Sequence, residues 1–261
     1  MVNRIDRKTG PRAEDAHPMP NQPSEPNTRK AFVAGATGYT GQAVVAGLRA
    51  LGVDTIAHVR PDSSRLTHWQ QHFTDLGATV SDAAWDVAAL TAAFARLAPT
   101  EVYCLIGTTS SRAKQDGQAR NDAYEAIDYG LTKCLVDALV DAKLAPRFVY
   151  LSSMGADASS RMAYLRARGR AEDAVRISGL AHTILRPSFI TGSDRDESRP
   201  SERFGAAVTN GLLSVAGVLG AKRLRNRYRS VNAETLAHHL ITSATSTELN
   251  CQTVNLADLA G

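Results

Sequence analysis

From Lys30 onward, short apolar runs alternate with segments in which apolar residues recur every three or four positions. Ala31-Phe-Val-Ala-Gly35 is a short apolar run ending in glycine, and behind it Val44, Val45 and Leu48 share one face of a predicted helix. Val53-Asp-Thr-Ile-Ala-His-Val59 predicts a second strand, residues 64–76 a helix, Ala78-Thr-Val80 a short third strand, and residues 87–97 a further helix. Strand four is expected at Glu101-Val-Tyr-Cys-Leu-Ile106. Ile127, Leu131, Leu135 and Leu139 then mark a long helix from Asn121 to Lys143. Strand five is expected at Arg147-Phe-Val-Tyr-Leu-Ser152, a helix from Ser160 to Ser178, and strand six at Ala181-His-Thr-Ile-Leu185, stopped by Pro187. Strands that alternate with helices and are apolar on both faces predict an α/β fold, a doubly wound parallel sheet covered on both sides. Beyond Pro187 the alternation weakens into a charged loop, a helix, a basic run and a βαβ-like tail (Tyr228–Ala257), read as a small C-terminal substrate-side region.

Residues 1–28 hold five prolines, several charges and almost nothing apolar. Such a stretch cannot offset its ordering entropy and is expected as a disordered tail, leaving residues 29–261 as one domain. Thirty basic against 26 acidic residues give a net charge of +4, too mild to require a nucleic-acid partner. Three widely spaced cysteines, Cys104, Cys134 and Cys251, argue against a disulfide scaffold or a thiolate zinc site. With that cysteine usage, no apolar leader, and Asp6, Glu14, Asp15 and Glu25 near the start, the chain reads as cytoplasmic. The uncharged stretch Phe204 to Ala221 carries four glycines and is a poor membrane span. His238-His239 reads as a helix-surface pair, Lys222 to Arg229 as a solvated loop, and Cys104 as core packing; no metal site is expected.

The strongest motif is Gly35-Ala-Thr37-Gly38-Tyr39-Thr40-Gly41, at the turn from the first strand into the first helix. Glycine permits that turn and lets a pyrophosphate approach the helix N-terminus, where free N–H groups and the dipole favour anions. Strand two ends at Arg60, 25 positions after Gly35, where an NAD site would put an acid on the ribose hydroxyls. Here stand Arg60, Ser64 and Arg65, which suit a 2′-phosphate, so NADP is expected. Asp62 keeps NAD as the second choice, and Arg60 as a merely solvated strand end stays an alternative.

These residues, with Cys104-Leu-Ile-Gly-Thr-Thr109, Leu151-Ser-Ser-Met-Gly-Ala-Asp157, Tyr164-Leu-Arg-Ala-Arg-Gly-Arg-Ala-Glu172, Leu185-Arg-Pro187 and Asp194-Arg-Asp-Glu-Ser-Arg-Pro200, resemble the short-chain dehydrogenase/reductase superfamily. The likeness lies in its atypical branch, near the Tat-interactive-protein type of oxidoreductase, and covers roughly residues 30–203. It implies a Rossmann fold in which Gly35, Gly38 and Gly41 cradle the pyrophosphate, with Thr37, Tyr39 and Thr40 nearby. Asp86 and Val87 would meet the adenine, although Asp86 serves equally well as a helix N-cap. Gly107 and Thr108 would line the cofactor, and Pro187-Ser-Phe189-Ile190 would contact the nicotinamide amide.

For the chemistry, the resemblance implies a serine, Ser153 (or Ser152), and a tyrosine, Tyr164, that exchanges a proton with the substrate oxygen while hydride moves. The family's lysine, four residues after the tyrosine, binds the ribose and eases ionisation of the phenol; here that position holds the bulkier Arg168. The expected function is an NADP-dependent oxidoreductase acting on a small carbonyl or alcohol, as a monomer or homodimer. The alternatives are a non-catalytic NADP(H)-binding regulator with a protein partner and, more weakly, a nucleotide-sugar epimerase or dehydratase.

Overall fold

The computed structural model describes residues 29–108, 119–187 and 232–259. The proline-rich tail, Phe189, Ile190, the charged loop and the basic run therefore lie outside the described residues, as does the strand expected near Tyr228. Seven strands form one parallel sheet: β1 (Lys30–Ala34), β2 (Asp54–His58), β3 (Thr79–Ser81), β4 (Glu101–Cys104), β5 (Arg147–Leu151), β6 (His182–Arg186) and β7 (Gln252–Asn255). Their spatial order is β3-β2-β1-β4-β5-β6-β7, and every neighbouring pair is parallel. This is the doubly wound Rossmann arrangement expected from the sequence.

Successive strand residues point to opposite faces, so a strand buried on both sides is apolar over most of its length. β1 shows the rule: Ala31 and Val33 enter one core and Phe32 and Ala34 the other. The first core is closed by α1 (Tyr39–Ala50), α2 (Leu66–Asp75) and a late helix that we label α6 (Ala233–Thr245). The second is closed by α3 (Val87–Leu97), α4 (residues 120–141) and α5 (Ala163–Ile177). The α4 rod is composite, with α-helical turns over Arg120–Ala123 and Thr132–Asp141 on either side of a π-wound segment, Tyr124–Leu131.

Several boundaries shift by a residue or more from expectation, and two of the shifts have a visible cause. β4 ends at Cys104 rather than Ile106, because the chain must turn there to pass over Gly35. α5 begins at Ala163 rather than near residue 160, since Asp157 Oδ1 accepts bonds from the Ser159 backbone and hydroxyl and holds that stretch as a turn. The same turn lies against Gly169, where an added Cβ would come within 2.1 Å of the Ala158 nitrogen. Gly169→Ala therefore gains about 1 kcal/mol of helix propensity but forces apart two main-chain segments, a cost of roughly 1–3 kcal/mol or more. The expected net result is destabilisation, read as a melting midpoint lowered by about 2–6 °C.

Candidate functional site

In a parallel sheet every carboxyl end lies at one edge, and the strand order reverses between β1 and β4. Ligands of such sheets sit outside that edge, at the reversal. The loops leaving β1 and β4 touch there. Gly35 has φ 84°, and a side chain on it would meet the Leu105 carbonyl oxygen at 2.9 Å. The Gly38 amide donates to the Gly35 carbonyl at 3.0 Å, and Gly41 is pressed so closely on Gly35 that a Cβ would lie 2.1 Å from that oxygen. Gly35 and Gly41 thus shape the turn. Gly38 differs: among the described residues, beyond its chain neighbours and its own helix, a Cβ there would meet just the Gly35 oxygen, at 3.3 Å. Gly38 caps α1 with no side-chain bond, and the first turn carries no acid. The positive end of α1 and the room at Gly38 fit a pyrophosphate. Thr37 and Tyr39 flank the loop half-buried, and Thr40 is buried beneath it.

At the end of β2, Arg60, Ser64 and Arg65 are exposed. Arg60 lies 3.7 Å from Asp62 in an open ion pair, and Arg65 stacks over Trp69 at 4.9 Å. Beyond β3, the Asp86 carboxylate accepts from the Ala89 amide at 2.9 Å, so the N-cap role is realised, while Val87 opens α3 half-buried. His58 backs this end, its ring between Phe32 and Trp85 and its Nε2 2.9 Å from the Ala83 carbonyl. Burial lowers its pKa below the ordinary histidine value, which keeps it a neutral wall residue.

The end of β4 is organised around charge. Arg168, on α5, is 6% exposed and reaches beneath Gly107, where a Cβ would collide with Nη2 at 2.1 Å. Its Nη1 donates to the Tyr150 hydroxyl at 3.2 Å and the Leu151 carbonyl at 2.8 Å. Nη2 lies 2.9 Å from Oδ1 of Asp128, a wholly buried carboxylate on the π-wound segment, close in distance though off the hydrogen-bond axis. The other Asp128 oxygen accepts the amide of buried Thr108 at 3.1 Å. Burial opposes the Arg168 charge, but Tyr150 and Asp128 outweigh it and hold its pKa well above the ordinary value. Gly107 and Thr108 are thus placed by an internal ion pair, and Arg168 is directed into the protein.

Tyr164 stands one turn before Arg168, its ring centroid 5.5 Å from the guanidinium carbon and 5.3 Å from that of Tyr124. Of the two candidate serines, Ser152 is buried with its hydroxyl donating to Glu172 at 2.6 Å, whereas the half-buried Ser153 places its hydroxyl 3.4 Å from the Met154 carbonyl. The Met154 amide bonds the Pro187 carbonyl at 3.0 Å, which ties the loops after β5 and β6. Phe189 and Ile190 lie outside the described residues. Cys104 is fully buried, and burial pushes its thiol up to about 11, as suits a packing residue. Among the described residues no cluster suited to a metal ion occurs, and no helix is long and apolar enough to cross a membrane.

Asp128 and Glu172 were not singled out from the sequence. The signal was an acid in line with an apolar stripe: Asp128 precedes Thr132, Leu135 and Leu139 on the inward face of α4, and Glu172 lies between Arg168 and Val175 on α5.

The sequence model of the NAD(P)H-binding family matches residues 35–217, from the glycine loop past β6. The chain belongs to this family. The mitochondrial protein Fmp52 of Emericella nidulans is 29% identical over 216 residues, covering 77% of this chain and 88% of that protein. Its counterpart from Aspergillus clavatus is 33% identical over 188 residues, covering 69% and 75%. Among solved structures, a putative NAD-dependent epimerase/dehydratase from Bacillus halodurans shares the fold at a TM-score of 0.61 and 18% identity, covering 87% of this chain and 92% of that one. Family, fold and glycine loop together make the chain an atypical member of the short-chain dehydrogenase/reductase superfamily, as its motifs suggested. The expected cytoplasmic location is corrected, because the curated relatives are named mitochondrial. Free cysteines report a reducing milieu, a property that does not name a compartment.

Asp128→Ala would leave Arg168 buried without its ion-pair partner. The expected loss is about 3–5 kcal/mol of folding stability, measured by denaturant titration.

Proposed function

We propose that the chain is an NADP-dependent oxidoreductase acting on a small carbonyl or alcohol. The observation that carries this reading is Tyr164, a half-buried phenol with Arg168 against its ring, on the helix that follows the Ser153 loop. The Gly35–Gly41 loop would hold the pyrophosphate on its amides. Arg60, Ser64 and Arg65, exposed at the end of β2, would receive the 2′-phosphate, with Asp86 and Val87 beside the adenine. Gly107, Thr108 and Pro187 would border the path towards the nicotinamide.

The bound nicotinamide would supply or accept hydride. Ser153 would donate a hydrogen bond from Oγ to the substrate oxygen, and Tyr164 would pass a proton between Oη and that oxygen. Arg168 would act through its fixed positive charge, because its Nη atoms face Tyr150, Leu151 and Asp128. That inward orientation also favours a second reading, an NADP(H)-binding regulator that does no chemistry and answers to a protein partner.

Arg60→Ala is expected to reduce the preference for NADPH over NADH by about 1–2 kcal/mol, the lower part of the range for charge-assisted hydrogen bonds because the side chain is exposed. Parallel titrations with both cofactors check this, and equal affinities in the unaltered chain would remove the NADP assignment. In a screen of small aldehydes and ketones with NADPH, Tyr164→Phe is expected to abolish turnover while leaving NADPH affinity unchanged. Turnover that survives the substitution would end the assignment of Tyr164 as proton donor. If NADPH instead alters the affinity of a partner protein in both forms alike, the regulator reading takes its place.

A further inference from the structure

We infer that Glu172 is the positioning residue that sets the nicotinamide end of the cofactor site, an inference that rests on the NADP-dependent reading above. Glu172 is wholly buried on α5. Its Oε1 accepts from Ser152 Oγ at 2.6 Å and Arg186 Nε at 2.8 Å. Its Oε2 accepts from Arg186 Nη2 at 2.6 Å and Arg176 Nη2 at 2.5 Å. Ser152 immediately precedes Ser153, and Arg186 immediately precedes Pro187, so the carboxylate grips both loops one residue short of the positions assigned to the reacting end.

The grip is reinforced on each side. Arg186 Nη2 also donates to the Ala156 carbonyl at 3.0 Å, which joins the end of β6 to the loop after β5. The main chain repeats the link, Ser152 N–H to Leu185 O at 2.8 Å and Met154 N–H to Pro187 O at 3.0 Å. Arg176 continues to Thr253 Oγ1 on β7 at 3.0 Å. One carboxylate therefore registers the carboxyl ends of β5 and β6, and through Arg176 β7, against α5. Tyr164, Arg168 and Glu172 follow one another at intervals of four, a single stripe of that helix. The helix that carries the phenol is thus aligned with the serine loop by the same side chain.

A buried ion pair is a poor way to add stability, since apolar replacements of similar volume are often as good. What a carboxylate adds is direction: two coplanar acceptors matched to the fork of Arg186 fix both loops in angle as well as distance. The adenosine end is built on β1 and β2, on the other side of β4 in the sheet, and does not use this clamp. Loosening Glu172 should therefore be felt by the nicotinamide and not by the rest of the cofactor.

The test uses the full chain and two probes, NADPH and 2′-phospho-ADP-ribose, which carries every part of the cofactor except the nicotinamide. In Glu172→Gln the affinity for the fragment is expected to stay within about twofold of the unaltered chain, while the ratio of NADPH to fragment affinity falls about tenfold, the scale of one hydrogen bond to a charged group. The fluorescence enhancement of bound NADPH should fall with it. Ser152→Ala, which removes one arm and leaves Arg186 paired, should move the same ratio in the same direction by less, and it decides the matter if Glu172→Gln is not recovered folded. Equal losses for both probes, or an unchanged ratio, overturn the inference and leave the NADP assignment intact. Failure of both probes to bind the unaltered chain overturns that assignment, and the inference with it.

Discussion

The pairing of Arg168 with Asp128 is the contact around which the carboxyl edge of the sheet is arranged. Two charges removed from water must meet, or the folded state carries an uncompensated ion. Meeting requires α5 to bring its guanidinium beneath Gly107, the π-wound segment of α4 to turn Asp128 inward, and Tyr150 to offer its hydroxyl. Thr108 is then held by the other carboxylate oxygen. The pair thereby dictates which side chains fit nearby: only glycine at 107 leaves room for the arginine. Most π-helical turns are single insertions found at functional positions. Here the segment runs for eight residues with the buried acid inside it.

The sheet was legible because a strand covered on both faces is mostly apolar, and runs such as residues 31–34 announce that condition directly. Helix windings were less legible. Ile127, Leu131, Leu135 and Leu139 satisfy a helical spacing, and nothing in that spacing separates α from π winding over Tyr124–Leu131. The end of β4 was misjudged for a related reason. Leu105 and Ile106 are apolar enough to extend a strand, but the neighbouring turn at Gly35 needs the chain to bend there.

At the site, residues whose role depends on the backbone were easier to read than those whose role depends on a partner. The glycines of the nucleotide loop carry their geometry in their identity, and each does a separable job. Ser152 and Ser153 looked interchangeable until Glu172 was seen to take the first. Arg168 stands beside Tyr164, as four-residue spacing on a helix implies, but that spacing does not reveal which acid across the core its guanidinium meets. Asp86 shows the reverse case, a residue whose local role as a cap was as visible as the ligand contact implied by resemblance.

The late helix α6 has one more consequence. It packs on α1 so closely that a side chain at Gly47 would touch Ile241, and Leu236, Leu240, Ile241 and Leu256 complete the core begun by Val44, Val45 and Leu48. The opposite face is built from α3, α4 and α5, contiguous neighbours in the chain. The two faces therefore assemble at different times. Contacts between distant parts of a chain form late, because the loop between them must close before they reward it. During synthesis the α1 side of the sheet lacks this cover until residues 233–245 have emerged, and until then its apolar surface is open to association with other chains. Helix α6 acts as a keystone, set in place after the strands and helices it locks together.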